Sequence, residues 1–175
     1  MGKTETQEKE IILAKPSGAD HRRCVDLRNA NAHFFFSPGR VTLTNHHDWY
    51  RRVERDETRL FYVVKLGPDV IGTIGLSHID YYHKHAEYGQ FIIGEEWRGM
   101  GYGRRALRAL LRKAFGEFDL HRIYGDIFWG NTVSQRTAFS LGFIEEGQFK
   151  DHIRTASGEF VDAVRVAILR DNFDG

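Results

Sequence analysis

Residues 94–103 constrain the architecture of this chain more than any other stretch. Before them the apolar residues run together or alternate as they do in strands. After them Leu107, Leu110, Leu111 and Ala114 fall at i, i+3, i+4 and i+7, one face of a helix predicted over 103–115. The change of period is made through Arg98-Gly99-Met100-Gly101-Tyr102-Gly103. Alternating glycines let backbone N–H groups converge on an anion, and a helix N-terminus adds partial positive charge. Arg104 and Arg105 then occupy the first helical turn, where cations oppose the macrodipole. A docked phosphate removes that conflict, with Arg98, Arg104, Arg105 and Arg108 available to neutralise it. The GxxxxGK(S/T) pattern of a P-loop is absent. GxGxG after an antiparallel meander is not the dinucleotide fingerprint that opens a βαβ unit. The plainer alternative is a glycine-rich turn carrying solvated arginines.

The flanking patterns assemble into one domain. Ile11-Ile12-Leu13-Ala14 is a short strand closed by Lys15-Pro16-Ser17-Gly18. Asp20 offers an N-cap for a helix over 21–32 with Cys24, Val25 and Leu27 inward. The aromatics Phe34, Phe35 and Phe36 fall in a loop that must bury them or use them. A second helix over 45–57 begins near Thr44 or Asn45 and carries Trp49, Tyr50 and Val53. Residues 60–66, nearly all apolar, read as a strand covered on both faces. Gly67-Pro68-Asp69 is a turn, and strands follow over 70–77 and 86–94, the latter with a bulge marked by Gly89. Beyond the glycine-rich loop and its helix come a strand over 122–128 and a helix over 131–141 stopped by Gly142. Two closing strands over 143–149 and 160–169 flank a turn at Ala156-Ser157-Gly158. The expected fold class is α+β (mixed α/β), a single domain over 10–170 with polar tails at 1–9 and 171–175.

Composition excludes several function classes. A chain of 175 residues has room for one sizeable core, not two. Lys+Arg 25 against Asp+Glu 24 leaves a net charge of +1, without the basic field of a dedicated nucleic-acid binder, so no nucleic-acid partner is expected. Cys24 is the only cysteine, which excludes an internal disulfide and a CxxC site, and no histidine pair has metal-ligand spacing. No metal is expected. The start, MGKTETQEKE, lacks the apolar stretch of a secretory signal, and its loose fit to a myristoylation pattern has no polybasic segment behind it. No apolar run approaches the roughly 18 residues needed to span a bilayer. The expectation is a cytoplasmic protein with no membrane partner.

The order of elements and the residues together resemble the GNAT superfamily of N-acetyltransferases. Its pyrophosphate motif, Gln/Arg-x-x-Gly-x-Gly/Ala, is matched by Arg98, Gly101 and Gly103. The run from Ala86 to Gly94 is similar to the preceding strand of the Rim-type branch, which includes ribosomal-protein alanine, spermidine and amino-sugar acetyltransferases. Asn131-x-x-Ser134, Gly142-Phe143-x-x-Glu146-Gly147 and Gly158-x-x-x-Asp162 resemble the segments that follow. The resemblance covers about residues 10–170. It implies a GNAT-like fold: a central, mostly antiparallel sheet in which two parallel strands, 86–94 and 122–128, splay apart between flanking helices.

It also implies an activity, transfer of the acetyl group of acetyl-CoA to a primary amine by direct attack, with acetyl-CoA lying in the splay. Phe91, Ile92 and Ile93 would offer backbone hydrogen bonds to the pantetheine arm and the thioester, besides packing the core. Arg98, Gly99, Met100, Gly101, Tyr102, Gly103 and Arg104 would hold the pyrophosphate. Asn131 would contact the pantetheine, although asparagine is a favoured N-cap in any case. Ser134 corresponds to a serine near the acetyl sulfur that protonates the leaving thiolate. Many relatives use a tyrosine four positions before the glycine of the Gly-Phe pair for that step, and here the position is Ala138. The helix after the loop departs too, with Arg105-Ala106 where relatives often have Glu-Ala. Glu87 is the first candidate for the base that takes the amine's proton, with Glu146 and Asp162 as alternatives.

The acceptor is left open between a small molecule (an amino sugar, a polyamine or similar) and a protein N-terminus, and a homodimer is allowed. Phe34, Phe35, Phe36 and Trp49 lie where the acceptor pocket often borders in this superfamily. A polyamine would call for a dense acidic lining, and no cluster of carboxylates is obvious. The rival function is a non-catalytic acyl-CoA-binding sensor or interaction module, which the missing tyrosine favours. A nucleotide-binding redox domain is a third.

Overall fold

The computed structural model describes residues 10–32, 39–155 and 157–175. Phe34, Phe35 and Phe36, Ala156 and the N-terminal tail lie outside these residues. Strands β1 (Ile11–Ala14), β2 (Leu60–Leu66), β3 (Asp69–Asp80) and β4 (His85–Ile93) pair antiparallel in that order. β4 then lies parallel to β5 (Arg122–Phe128), and β5 pairs antiparallel with β7 (Phe160–Leu169), which carries β6 (Ile144–Arg154) at the sheet edge. The order is thus β1-β2-β3-β4-β5-β7-β6, a mostly antiparallel sheet with one parallel junction at its centre.

Strand β2 is apolar at every position but Lys65 because both of its faces are covered. Tyr62, Val64 and Leu66 join the main core beneath α3 (Tyr102–Arg112), whose Leu107, Leu110 and Leu111 are fully buried. Phe61 and Val63 face the other way, into a second cluster with Cys24 of α1 (Asp20–Ala30) and Tyr50 and Val53 of α2 (Leu43–Arg55). Full burial of each such side chain stabilises by about 1.5–3 kcal/mol, which holds helices on both sides of the sheet.

Several element ends differ from the expected ones for local reasons. Asp20 is the first residue of α1 and not its N-cap; its carboxylate accepts from the Ser17 N–H at 3.0 Å and pairs with Lys65 of β2 at 3.0 Å. α2 begins earlier than 45 because Thr42 caps it, accepting from the Asn45 N–H at 3.2 Å. α3 stops at Arg112 and widens into a π turn over Lys113–Glu117. The last helix, α4, spans only Thr132–Phe139, and β6 continues past 149 to Arg154.

Two irregularities of β4 prepare the site. Opposite Ile74, β4 carries two residues, Gln90 and Phe91, where the ladder register slips. The bulge is therefore at Gln90, one residue beyond Gly89, and Gln90 takes φ +52°. Thr73, 2% exposed, stabilises it by donating its hydroxyl to the Gln90 carbonyl at 2.7 Å. Gly72 leaves room for the Ile92 carbonyl, with which any Cβ would collide. The second irregularity is the short parallel ladder. It has three rungs, His85–Arg122, Ala86–Ile123 and Glu87–Tyr124, and then ends. One residue on, the Tyr88 ring lies across Gly125 where a paired side chain would be.

Candidate active site

Beyond the last rung, a cavity of about 340 Å³ lies among the end of β4, the glycine-rich loop and the start of α4. β4 supplies Phe91, Ile92 and Ile93 as one wall. The glycine-rich loop supplies Arg98, Gly99, Gly101, Tyr102, Gly103 and Arg104. Asn131 and Ser134 line it from the start of α4. These positions are far apart in sequence and are brought together here. Met100 is not among them; its side chain is largely exposed.

The loop is shaped for an anion. Gly99 and Gly101 take φ of +75° and +79°, the left-handed region that side chains resist. Gly101 is the N-cap of α3, so no side chain caps the helix, and no acidic residue sits in its first turn. First-turn N–H groups are thereby left to a ligand. Arg98 serves the loop itself: Nε donates to the Ile93 carbonyl at 3.2 Å, and the guanidinium also bonds Asn31 Oδ1. Arg104 reaches the Ser140 carbonyl at 3.4 Å, linking α3 to the end of α4.

On the opposite wall, Asn131 caps α4 by accepting from the Ser134 N–H at 3.2 Å. Ser134 thus sits at the third helical position, half-buried at the end nearest the splay. Gln135 bonds the Phe128 and Trp129 carbonyls at 3.3 and 2.8 Å, fixing the turn from β5 into α4. Ala138 is fully buried.

Glu87 does not line this cavity. It stands on the last β4–β5 rung opposite Tyr124, with Oε2 2.7 Å from His78 Nδ1. The alternative carboxylates have structural partners. Glu146 takes the Arg122 guanidinium through Oε1 at 2.6 Å and also through Oε2, and this pairing lowers its pKa. Asp162 accepts from the Asp151 N–H at 2.9 Å.

A second cavity, of about 270 Å³, lies on the α1–α2 side of the sheet. Arg28 of α1 and Asn45, His46 and Trp49 of α2 line it above Phe61, and Thr73, Gln90 and Ile92 close it at the bulge. Ile92 lines both cavities. Trp49 meets Phe61 edge-to-face, centroids 5.0 Å apart. His46 is 6% exposed and lies 3.3 Å from His21, ring nitrogen to ring nitrogen. Burial first, then its neighbours His21 and His47, pull the His46 pKa down to about 4. Burial pushes the Cys24 thiol up to about 12.

Sequence reasoning missed Asn31 and Trp97, which line the first cavity, and Thr73 and Gly72, which make the bulge. Asn31 read as one more position of the first helix. In the fold it is that helix's C-cap, its amide donating to the Leu27 carbonyl at 2.8 Å and its oxygen turned to Arg98. Among the described residues no cluster of His, Cys, Asp and Glu is placed to hold a metal ion, and no helix is long and apolar enough to cross a membrane.

The model of the GNAT acetyltransferase domain family matches residues 10–144 of the chain. The chain belongs to that family. Similar curated proteins include the spermidine N(1)-acetyltransferase of Vibrio cholerae, 28% identical over 123 residues and 70% of each chain. The ribosomal protein uS5-alanine N-acetyltransferase of Escherichia coli is 32% identical over 111 residues, 62% of this chain and 57% of that one. The crystal structure of Vibrio cholerae spermidine N-acetyltransferase in complex with CoA and spermine aligns with a TM-score of 0.86 at 25% identity, covering 93% of this chain and 97% of that one. This GNAT member is accordingly an acetyl-CoA-dependent N-acetyltransferase, with acetyl-CoA as cosubstrate and an amine as acceptor.

Proposed function

We propose that acetyl-CoA occupies the cavity lined by loop 98–103 and Asn131, and that a primary amine enters through the cavity beneath α1 and α2. The observation that supports this arrangement is that one residue just past the bulge of β4, Ile92, lines both cavities. The uncapped first turn of α3, with Arg104, holds the pyrophosphate, and Arg98 keeps the loop in place. Backbone groups of the bulged segment, Phe91 to Ile93, orient the pantetheine arm and polarise the thioester carbonyl.

Acetyl-CoA supplies an acetyl group activated as its thioester. The amine nitrogen bonds to the acetyl carbon, the carbon–sulfur bond breaks, and the products are an N-acetyl amide and CoA thiol. The ammonium proton goes to Glu87 by way of water, which frees the amine to attack. Ser134 gives a proton to the departing sulfur, the role left vacant by Ala138, and is reprotonated by the proton that the attacking nitrogen sheds as the amide forms. The two titratable groups lining the acceptor cavity besides Arg28 are unsuited to taking the ammonium proton, since His46 with a pKa of about 4 holds a proton too weakly and Cys24, near 12, is already protonated.

Steady-state release of CoA thiol, measured with acetyl-CoA and a panel of primary amines, tests this reading. Ser134→Ala should lower kcat by roughly 10²-fold, the low end for proton-transfer catalysis because a thiolate is a fair leaving group, with acetyl-CoA affinity intact. Glu87→Gln should lose most at low pH, where the acceptor is mainly ammonium. Unchanged kcat in Ser134→Ala, with chemistry rate-limiting, removes the serine from the mechanism. Acetyl-CoA binding without turnover of any amine favours a sensor module instead.

A further inference from the structure

We infer that His78 is a positioning residue for acetyl transfer: its imidazole pins one oxygen of the Glu87 carboxylate and leaves the other to take the acceptor's proton. This rests on Glu87 as the base proposed above and concerns what holds that base in place. Thr73, Gly75 and Ser77 fall at alternate positions of β3, and so on one face of the sheet. Thr73 lines the α1–α2 cavity, and Ser77 is the partner of Glu87 across the ladder. Directly paired residues share a face, so Glu87 stands on the acceptor side of the sheet, further along it from the bulge at Gln90.

An unbroken β3 would turn His78 away from this face, because side chains alternate from Ser77 onward. The strand is not unbroken there. Between the pairs Ser77–Glu87 and Asp80–His85, β3 carries two residues, His78 and Ile79, opposite Ala86 alone. Ile79 keeps its place in the core with Ala86, and its N–H is held by the Thr58 carbonyl at 3.1 Å. His78 takes the extra position at φ +50°, a backbone that residues other than glycine seldom adopt. That turn brings Nδ1 to 2.7 Å from Glu87 Oε2. An ionised carboxylate only accepts, so the contact requires the proton on Nδ1 and leaves Oε1 to water. Arg165, the other cation whose charge reaches Glu87, is committed to Asp126 through two hydrogen bonds of 2.8 Å. The His78 side chain is 66% exposed and that of Glu87 22%, so the imidazole holds the carboxylate from the solvent side. A free glutamate side chain samples several rotamers, and a base that acts through water gains from having them fixed.

The test measures kcat and acetyl-CoA Kd at neutral pH, with whichever of spermidine, glucosamine, phenylalaninamide and a peptide beginning with alanine is turned over fastest. His78→Leu, which fills the space without a donor, should lower kcat about tenfold and leave acetyl-CoA Kd at the wild-type value, the check that the variant folds. His78→Gly relieves the backbone and also lacks a donor, so it should be as slow, which separates the loss from strain. His78→Asn puts an N–H where Nδ1 stood and tolerates a left-handed backbone, so kcat should return to within about threefold of wild type. In a Glu87→Gln background, His78→Leu should change kcat by less than about twofold, because no base is left to position. A side chain serving only the stability of the β3 bulge would cost the same in both backgrounds. The positioning role is overturned if His78→Leu and His78→Gly keep the wild-type kcat, if His78→Asn is as slow as they are, or if the loss persists beside Glu87→Gln. Those results, with Glu87→Gln itself slow, leave the base standing. A Glu87→Gln variant that turns over at the wild-type rate refutes the base, and no turnover of any of the four amines refutes the transfer route; the role of His78 falls with either.

Discussion

Replacing Gly125 with alanine tests whether a side-chain wedge sets the splay between β4 and β5. Gly125 stands one residue past the last rung, beneath the Tyr88 ring. An alanine Cβ there would come within 2.8 Å of Tyr88 Cδ1 and 3.0 Å of Cζ, and nearer still to Cε1. Apolar carbons rest about 3.5–4.0 Å apart, so the ring must retreat by roughly 1 Å. It has little room to do so. Tyr88 is 7% exposed, and Phe143 meets its ring with centroids 5.3 Å apart. Overpacking of this kind costs about 1–3 kcal/mol, offset by about 0.5–1 kcal/mol because alanine has less freedom than glycine in the unfolded chain. The expected net loss is roughly 1–2 kcal/mol, which for a domain of this size lowers Tm by about 2–8 °C. Urea and thermal unfolding of Gly125→Ala, Tyr88→Leu and the double variant give the measurement, with acetyl-CoA Kd taken on each. Leucine leaves space for the new methyl, so the double variant should be less destabilised than the singles add up to, by about 1 kcal/mol or more. Strictly additive singles, or a Gly125→Ala variant that melts with the wild type and binds acetyl-CoA equally well, would refute the wedge.

Two further outcomes follow from the loop and from the buried histidine. At about 100 times Kd, acetyl-CoA should stabilise the wild type by about 2.7 kcal/mol; Gly101→Glu, which puts a charged side chain at φ +79° where N–H groups meet phosphate, should fold less stably and show no shift, and a preserved shift would move the anion site elsewhere. Stability should also fall as pH drops from about 6.5 towards 4, because His46 titrates at about 4 when folded against 6.5 when unfolded, so the native state binds fewer protons across that window. The loss approaches roughly 3 kcal/mol, His46→Asn should flatten it in urea titrations across that range, and an unaltered slope would assign the acid sensitivity to other groups.

The features legible in the sequence are those fixed by neighbours along the chain. The run at 60–66 announces two covered faces because apolar residues fall on both of them, with Lys65 the one exception, and the structure puts Phe61 and Val63 on one side and Tyr62, Val64 and Leu66 on the other. The helix after the glycine-rich loop carries its own period. Asn131 caps α4 through a hydrogen bond only three residues long. What resisted prediction is set across the sheet. The bulge sits at Gln90 instead of Gly89 because its support comes from Thr73 and Gly72 on the neighbouring strand, and neither residue differs from an ordinary strand interior when read alone.

The site shows the same division. Residue types at motif spacing identify Arg98, Gly101 and Gly103 as a unit, but spacing does not say what each atom bonds. Arg98 reads as a phosphate ligand, yet its Nε and one terminal nitrogen are taken up by the Ile93 carbonyl and Asn31. Asn31 comes from a helix nearly seventy positions earlier and enters only through tertiary packing. The arginine therefore ties the loop to β4 and to the end of α1, while the left-handed glycines and the uncapped turn of α3 leave first-turn N–H groups without a side-chain cap. Arg28 makes the converse case. Helical period marks Cys24 as inward-facing; the arginine one turn later falls on the same face, yet a charged side chain there reads as solvated surface until α2 closes over it.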